Sequence, residues 1–426
     1  MSTKQFLLLF CTLIFGACTI FGQEPAEDAP ELGSRAAVLL DAATGTVLYA
    51  KNPDEPIPPA SLTKLMTIHI ALTEAAAGRA AFDEIVPLPR ESWAINQPPR
   101  SSLMFLAAGQ TVTLKELLLG LAIPSGNDAA VAVALRFAPS VKDFTGMMND
   151  EAQRLGMNNT FFVEPSGVSE NNITTAMDFA VFCSEYVRLH PETLSDYHSV
   201  AEFAYPKAEN VAPQYRERPG TIVQYNHNNL LGIVEGVDGL KTGYIDESGY
   251  NIALSAMRMQ TRLIAVILGA PAQWGGDKIR DADGTALLEW GFRHFQTLHY
   301  TIPSISSVPL WKAKNDFIDI IPASYVQQGN GNIRQNNVSG SNILEFTTYT
   351  GRGFGLRWET RIEEPLIAPD KTPLGKGTVV GNITLYDDQG ELRRIDLLTA
   401  DDIEPGGFWK RLWHSIRLFF KNTFSK

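Results

Sequence analysis

Ser61 and Lys64 stand three residues apart at the start of a stretch, 62–77, that is apolar nearly all round. Such a stretch predicts a helix running through a core, with Ser61 at its first turn. A helix places residues i and i+3 on one face, which would bring the Ser61 hydroxyl and the Lys64 amine within hydrogen-bonding reach. A serine is a poor nucleophile until a base takes its proton. A lysine can be that base if desolvation or a second cation lowers its pKa. Backbone N–H groups at a helix start favour negative charge, and that is where an acyl-transfer oxyanion would form. An isolated Ser-x-x-Lys carries little weight, because serine is a common helix cap.

Two further segments raise the weight of the pair. Ser125-Gly126-Asn127 follows the apolar run 117–123, and Lys241-Thr242-Gly243 follows Val237-Asp238-Gly239-Leu240. The three segments occur in the order and spacing of the serine acyl-transferases that react with penicillin.

The elements that would carry these residues can be read along the chain. Residues 36–41 and 46–50 read as two strands joined by a hairpin turn at 42–45. Residues 82–110 carry many turn signals. A helix is expected over 113–123 with a Thr cap and Glu116 three residues on, broken by Ser125-Gly126-Asn127, then helices over 128–137 and 141–155. Strand signals return at 226–231, 239–244, 250–257 and 263–268, and 284–295 reads as a closing helix. One sheet built from both ends of the domain and covered by helices follows from this order. From residue 302 the pattern changes to short strands at 317–321, 342–349, 354–359, 378–385 and 391–397, with a Gly/Asn/Gln-rich loop over 327–342.

The chain has 426 residues, 44% hydrophobic and 19% charged, with a net charge of −11. That length accommodates two or three folded domains, and the acidic balance argues against a nucleic-acid partner. Of the three cysteines, Cys11 and Cys18 lie in the N-terminal segment and Cys183 lies in an apolar run, so no intrachain disulfide is expected in the folded part. The seven histidines form no His-Glu-x-x-His and no Cys/His cluster, so no metal or other cofactor is expected. Residues 1–22 have the shape of a signal peptide: one cation, Lys4, then an apolar run too short for a membrane span. Simple cleavage after Gly22 is preferred over lipidation at Cys18.

Residues 408–426 form a distinct tail. Trp409, Leu412, Trp413, Ile416, Phe419, Phe420 and Phe424 recur at helical spacing, with Lys410, Arg411, Arg417 and Lys421 on the other side and Leu418 as the one apolar residue among the charges. The tail is expected to lie in a membrane interface, and the competing reading is a helix packed on the β-rich region.

The mature chain resembles the low-molecular-mass penicillin-binding proteins of the D-alanyl-D-alanine carboxypeptidase type, serine peptidase family S11. The resemblance rests on Leu40-Asp41-Ala42 with Thr44-Gly45, on residues 59–67 and 123–129, on Leu155-Gly156-Met157, on 237–244 with Ser248-Gly249-Tyr250, and on 373–381 with 404–408. It implies an α/β (α+β) catalytic domain of the serine β-lactamase/DD-peptidase kind, with an antiparallel sheet, helices on both faces and a helical subdomain. A small all-β domain and an amphipathic C-terminal helix would follow. The expected division is a signal peptide over 1–22, a linker over 23–33, the catalytic domain over 34–301, the β domain over 302–400 and the membrane-anchoring helix over 401–426.

In that likeness Ser61 would be the nucleophile and Lys64 its base, kept neutral with help from the charge of Lys241. Ser125 would relay a proton to the leaving amine, and Asn127 would orient Lys64 and the substrate. Lys241, Thr242, Gly243, Tyr244 and His227 would bind substrate, with the backbone N–H groups of Ser61 and Tyr244 as the oxyanion hole. Peptidoglycan stem peptides ending in D-Ala-D-Ala, β-lactams and a membrane surface would be the partners, at the outer face of the bacterial cytoplasmic membrane. Two positions depart from the family pattern: Ile245 stands where Thr is common, and His227 stands between Asn226 and Asn228 where Arg or Thr is frequent. Glu164 reads as a loop residue. The alternatives are a β-lactamase, which Gly126 and the two C-terminal segments argue against, and a non-catalytic peptidoglycan-binding protein, which Ser61, Lys64 and Lys241 argue against.

Overall fold

The computed structural model describes residues 28–305, 307–323, 325–327, 333–335, 343–363, 365–368 and 373–424. The expected signal peptide, Cys11, Cys18, residues 23–27 of the linker and most of the 327–342 loop lie outside the described residues.

Strands β1 (Ala36–Asp41) and β2 (Val47–Lys51) form the expected hairpin. Helices α1 (Lys64–Ala76), α2 (Leu114–Ala122), α3 (Asn127–Phe137), α4 (Val141–Arg154) and α5 (Ala176–Leu189) follow. A small hairpin, β3 (Glu202–Tyr205) with β4 (Ile222–Tyr225), precedes β5 (Val237–Ile245), β6 (Gly249–Arg258) and β7 (Thr261–Ala270). Helix α6 (Gly276–His294) runs into β8 (Phe295–Thr301).

The main sheet has five strands in the order β2-β1-β7-β6-β5, with every pair antiparallel. Its two chain ends therefore do meet in one sheet. Side chains alternate across a strand, and here each face has its own core. Val38, Leu40, Ile264, Val266 and Leu268 join α1 to α5 on one side, while Leu39, Leu263, Ala265 and Ile267 pack with Leu287, Leu288 and Trp290 of α6 on the other. Burial on both faces explains why β1 and β7 read as unbroken apolar runs rather than alternating ones. Strand β5 is last in the sheet, so its outer edge is available to the segment before α1.

Two readings are corrected. Residues 226–231 are not a strand: Asn226 Oδ1 accepts from the Asn228 N–H at 3.0 Å and Asn228 Oδ1 from the Leu230 N–H at 3.2 Å, and these local bonds hold a turn. The closing helix begins at Gly276, two turns before the expected start.

β8 pairs antiparallel with residues Ile343–Tyr349. Beyond it a separate apolar cluster gathers residues from Ile302 to Ile403 around a four-stranded sheet containing Val379–Asp387 and Gly390–Thr399. The last helix, α7 (Phe408–Phe424), touches this lobe through polar groups. Lys410 Nζ reaches Asp316 at 2.7 Å and the Lys314 carbonyl at 2.9 Å, and His414 Nδ1 accepts from the Lys312 N–H at 2.8 Å. Leu418 is buried, whereas Phe408, Trp409, Leu412, Trp413, Ile416, Phe419 and Phe420 are exposed. Among the described residues, no helix is long and apolar enough to cross a membrane.

Candidate active site

Ser61 does not lie inside α1. It belongs to a 3₁₀ turn, Ala60–Thr63, that leads into the α-helix at Lys64. Side chains at i and i+3 eclipse in a 3₁₀ turn, which aligns Ser61 and Lys64 more closely than an α-turn does. Lys64 Nζ lies 2.9 Å from Ser61 Oγ. The turn starts with Ala60 at φ +52°, a left-handed conformation unusual for a residue with a Cβ.

Lys64 is fully buried. Besides Ser61, its Nζ meets Asn127 Oδ1 at 2.7 Å and the Ser166 carbonyl at 2.5 Å. Three partners suit both protonation states. An ammonium donates to all three; a neutral amine donates to Asn127 and Ser166 and accepts the Ser61 proton. Burial lowers the Lys64 pKa to about 7, against the pull of the Glu164 and Asp128 carboxylates. The sequence reading assigned part of this lowering to Lys241. Burial is the largest cause, and the repulsion between the Lys64 and Lys241 amines disfavours both being protonated together.

Asn127 opens α3, and Ser125 sits two residues earlier at φ +62°. Ser125 Oγ is buried with no hydrogen-bond partner among the described residues. The loop over this helix start is fixed by Asp128, whose carboxylate accepts from the N–H groups of Met104 (2.8 Å), Leu106 (2.9 Å) and Ala129 (2.9 Å). Gly126 leaves room for that arrangement: a Cβ there would lie 2.7 Å from Asp128 Oδ1 and 2.8 Å from the Met104 nitrogen.

β5 supplies the third group. Lys241 is buried, with Nζ 2.9 Å from the Thr242 carbonyl. Burial, then Lys64, then Arg280 hold its pKa well below the ordinary lysine range. The same cations act on His227, whose imidazole is lowered to about 4 by desolvation, Lys241, Arg280 and Lys64. His227 is exposed, so desolvation counts for less there, and Lys241, Arg280 and Lys64 each push the ring toward its neutral form when they are charged. Lys64, Lys241, Arg280 and His227 thus share one electrostatic neighbourhood. Tyr244, near the end of β5, is partly exposed; its hydroxyl donates to Asp246 at 2.6 Å and its ring centroid lies 4.4 Å from that of Tyr250.

Sequence reasoning missed three contributors. Arg280 is buried on α6 and paired with Asp281 at 2.6 Å; it lies far from every motif in the chain and carries no local signal. Asp128 directly follows the Ser-Gly-Asn triplet at a helix start, which was the available clue. Glu164 was read as a loop residue, and it shapes the loop whose Ser166 carbonyl holds Lys64. Its carboxylate accepts from the N–H groups of Ser166 (2.7 Å) and Gly167 (2.6 Å) and from Asn172 Nδ2 (2.9 Å). Gly167, at φ +83°, comes so close to the Ser61 turn that a Cβ would lie 1.8 Å from the Ala60 carbonyl oxygen.

A buried Ser/Lys pair, an Asn on the lysine and a second lysine on an edge strand, set between a sheet and a helical layer, form an arrangement with the chemistry serine acyl transfer requires. Residues 23–272 match the profile of the peptidase S11 family, D-alanyl-D-alanine carboxypeptidase. The chain is 32% identical to the D-alanyl-D-alanine carboxypeptidase DacC of Escherichia coli (strain K12), over 99% of this chain and 95% of that protein. It is 29% identical to DacF of Bacillus subtilis (strain 168), over 94% of each. Among solved structures it resembles penicillin-binding protein 5 from Haemophilus influenzae, with a TM-score of 0.71 at 28% identity, covering 88% of this chain and 99% of that one. Penicillin-binding protein D2 from Listeria monocytogenes, solved in an ampicillin-bound form, matches with a TM-score of 0.52 at 29% identity over 62% of this chain and all of its own. The chain belongs to the D-alanyl-D-alanine carboxypeptidase family of serine peptidases and is a hydrolase of the penicillin-binding protein group.

Proposed function

We propose that this enzyme removes the terminal D-alanine from peptidoglycan stem peptides through an acyl-enzyme on Ser61. Neutral Lys64 takes the Ser61 proton as Oγ attacks the carbonyl between the two D-alanines. The tetrahedral oxyanion is held by the backbone N–H groups of Ser61 and Tyr244. Ser125 passes a proton to the leaving amine, D-alanine departs, and water attacks the ester to release the shortened peptide and restore Ser61. Lys241, Thr242 and His227 receive the terminal carboxylate, and Arg280 adds positive charge behind them. A bound carboxylate favours the protonated form of Lys241, and that charge in turn favours neutral Lys64. The observation that carries this reading is the fully buried Lys64 amine 2.9 Å from Ser61 Oγ.

β-Lactams would acylate Ser61 by the same steps and leave slowly. Glu164 has its carboxylate engaged by its own loop, which argues against a dedicated deacylating base and hence against a β-lactamase. We read residues 34–301 as the catalytic unit, 302–400 as the β domain and 401–426 as a membrane-surface anchor on an exported protein. The aromatic side of α7 facing away from the β lobe supports that anchor.

The test is release of free D-alanine from a peptide ending in D-Ala-D-Ala. Wild type should release it and be labelled covalently by penicillin. A Ser61→Ala variant that still releases D-alanine at the wild-type rate would remove Ser61 from the mechanism.

A further inference from the structure

His198 is a fully buried histidine that the steps above do not use. It ends a short helical turn, Leu194–His198, between α5 and β3. Both of its ring nitrogens are engaged. Nε2 lies 2.7 Å from the hydroxyl of Tyr186 on α5, a side chain that is itself fully buried, and Nδ1 lies 3.1 Å from the Leu240 carbonyl of β5. A carbonyl can only accept, so Nδ1 carries a proton and donates it whatever the state of Nε2. Burial lowers the ring's pKa to about 3 against the pull of the Leu240 bond, and the Lys241 charge adds to the lowering. The neutral ring then accepts a hydrogen bond from the Tyr186 hydroxyl at Nε2.

The place of the Nδ1 bond gives it a consequence. The Leu240 carbonyl belongs to the peptide group that joins Leu240 to Lys241, so the imidazole grips β5 at the lysine itself. The preceding carbonyl, of Gly239, accepts from Asn228 Nδ2 at 3.3 Å. Asn228 follows His227, and Asn226 on the other side of His227 donates from Nδ2 to the His198 backbone carbonyl at 3.0 Å. The strand comes close enough that a Cβ on Gly239 would stand 3.0 Å from His198 Cβ. β5 is the last strand of its sheet and has a sheet neighbour, β6, on one side only. His198 braces the other side, and it does so beside Lys241. An imidazole buried this deeply costs stability unless its nitrogens are paired, and the acceptor that pairs Nδ1 is the one next to Lys241.

We propose that His198 is a positioning residue for Lys241: its Nδ1–H, steadied by Tyr186, fixes the Leu240–Lys241 peptide group so that the lysine charge meets the substrate carboxylate. This role rests on the reading of Lys241 as the carboxylate partner. Loss of the Nδ1 donor should therefore reduce the preference for a substrate that carries a carboxylate, rather than acylation of Ser61 as such.

The probes are benzylpenicillin and its methyl ester, which lacks the carboxylate, and the readout is the second-order rate at which each labels the full-length protein. Wild type should favour the acid. His198→Leu should shrink the acid-to-ester ratio of rates at least about tenfold, within the roughly 10²-fold that a misplacement of an ångström can cost. His198→Asn, whose amide N–H can stand in for Nδ1–H, should stay within about threefold of the wild-type ratio. Tyr186→Phe removes one hydrogen bond while keeping the ring, and should shrink the ratio about two- to tenfold; it carries the test if His198→Leu does not fold. A merely structural role would slow acid and ester alike. An unchanged ratio in Tyr186→Phe, or in a folded His198→Leu protein, would therefore overturn the proposal, as would a His198→Asn ratio as low as that of His198→Leu. A wild type with no preference for the acid would instead refute Lys241 as the carboxylate partner, and the positioning role with it.

Discussion

Gly243 and Ser61 approach so closely that a Cβ on Gly243 would stand 2.9 Å from the Ser61 backbone nitrogen and 2.9 Å from the Pro59 carbonyl oxygen. The edge strand and the nucleophile turn are fitted to one another through a missing side chain. Gly243→Ala should push β5 off the turn by a few tenths of an ångström or more. Misplacement on that scale commonly costs about 10²-fold in rate. The expected outcome is a loss of roughly that size in the rate of penicillin acylation, with a circular dichroism spectrum like that of wild type.

The acid limb of the pH profile belongs to Lys64. Its pKa stands near 7, and only the neutral amine can take the Ser61 proton. The second-order rate of acylation should therefore fall about tenfold per pH unit below 7 and flatten above it. Lys64→Arg, which stays protonated, should lose about 10²- to 10⁴-fold of the plateau rate above pH 7, the usual contribution of a general base, and should lose the acid limb with it. A pH profile unchanged by this substitution would dismiss Lys64 as the base.

Ser125 offers a separation of activity from stability. Its buried hydroxyl has no hydrogen-bond partner among the described residues, so Ser125→Ala breaks no bond that holds the fold. Thermal melting should move by no more than about 2 °C. D-Alanine release should fall by about 10²-fold or more if the hydroxyl carries the proton to the leaving amine.

For α7, deletion of residues 408–426 from the mature protein should abolish sedimentation with anionic lipid vesicles while leaving D-alanine release in solution unchanged. Trp409→Ser with Trp413→Ser should give an intermediate loss, because both indoles are exposed on the side of the helix turned from the β lobe. Undiminished sedimentation of the deletion protein would show that the contact lies elsewhere.

The legible part of this protein was local. Ser61 and Lys64 share a face because they are three residues apart, and the capping box of α2 forms as Thr113 and Glu116 foretold. β1 and β7 were legible as apolar runs, and the sheet followed from their separation in the chain. What escaped was tertiary. Arg280 joins the cleft only because α6 packs behind β7 and β6. Asp128 ties down Met104 and Leu106 across a loop with no periodicity. Residues 226–231 were expected as a strand although three of the six are asparagine, a residue depleted in strands, and asparagine side chains hold the backbone in a turn. The 3₁₀ turn at Ser61 was hidden for a similar reason, since its geometry is imposed by Gly167 and Gly243 pressing on either side.

Asp41 closes the first strand with its carboxylate wholly enclosed. One oxygen takes the Ala43 and Thr44 amides, and the other takes the hydroxyls of Thr297 at 2.6 Å and Thr347 at 2.9 Å. Thr347 comes from the far strand of the ribbon that β8 begins. An excised N-terminal lobe ending near residue 301 would hence begin life with a sequestered anion short of a donor, and with β8 stripped of its neighbour. The first lobe thus borrows a hydroxyl and a strand partner from residues 343–349, and a truncation meant to isolate it has to keep that strand.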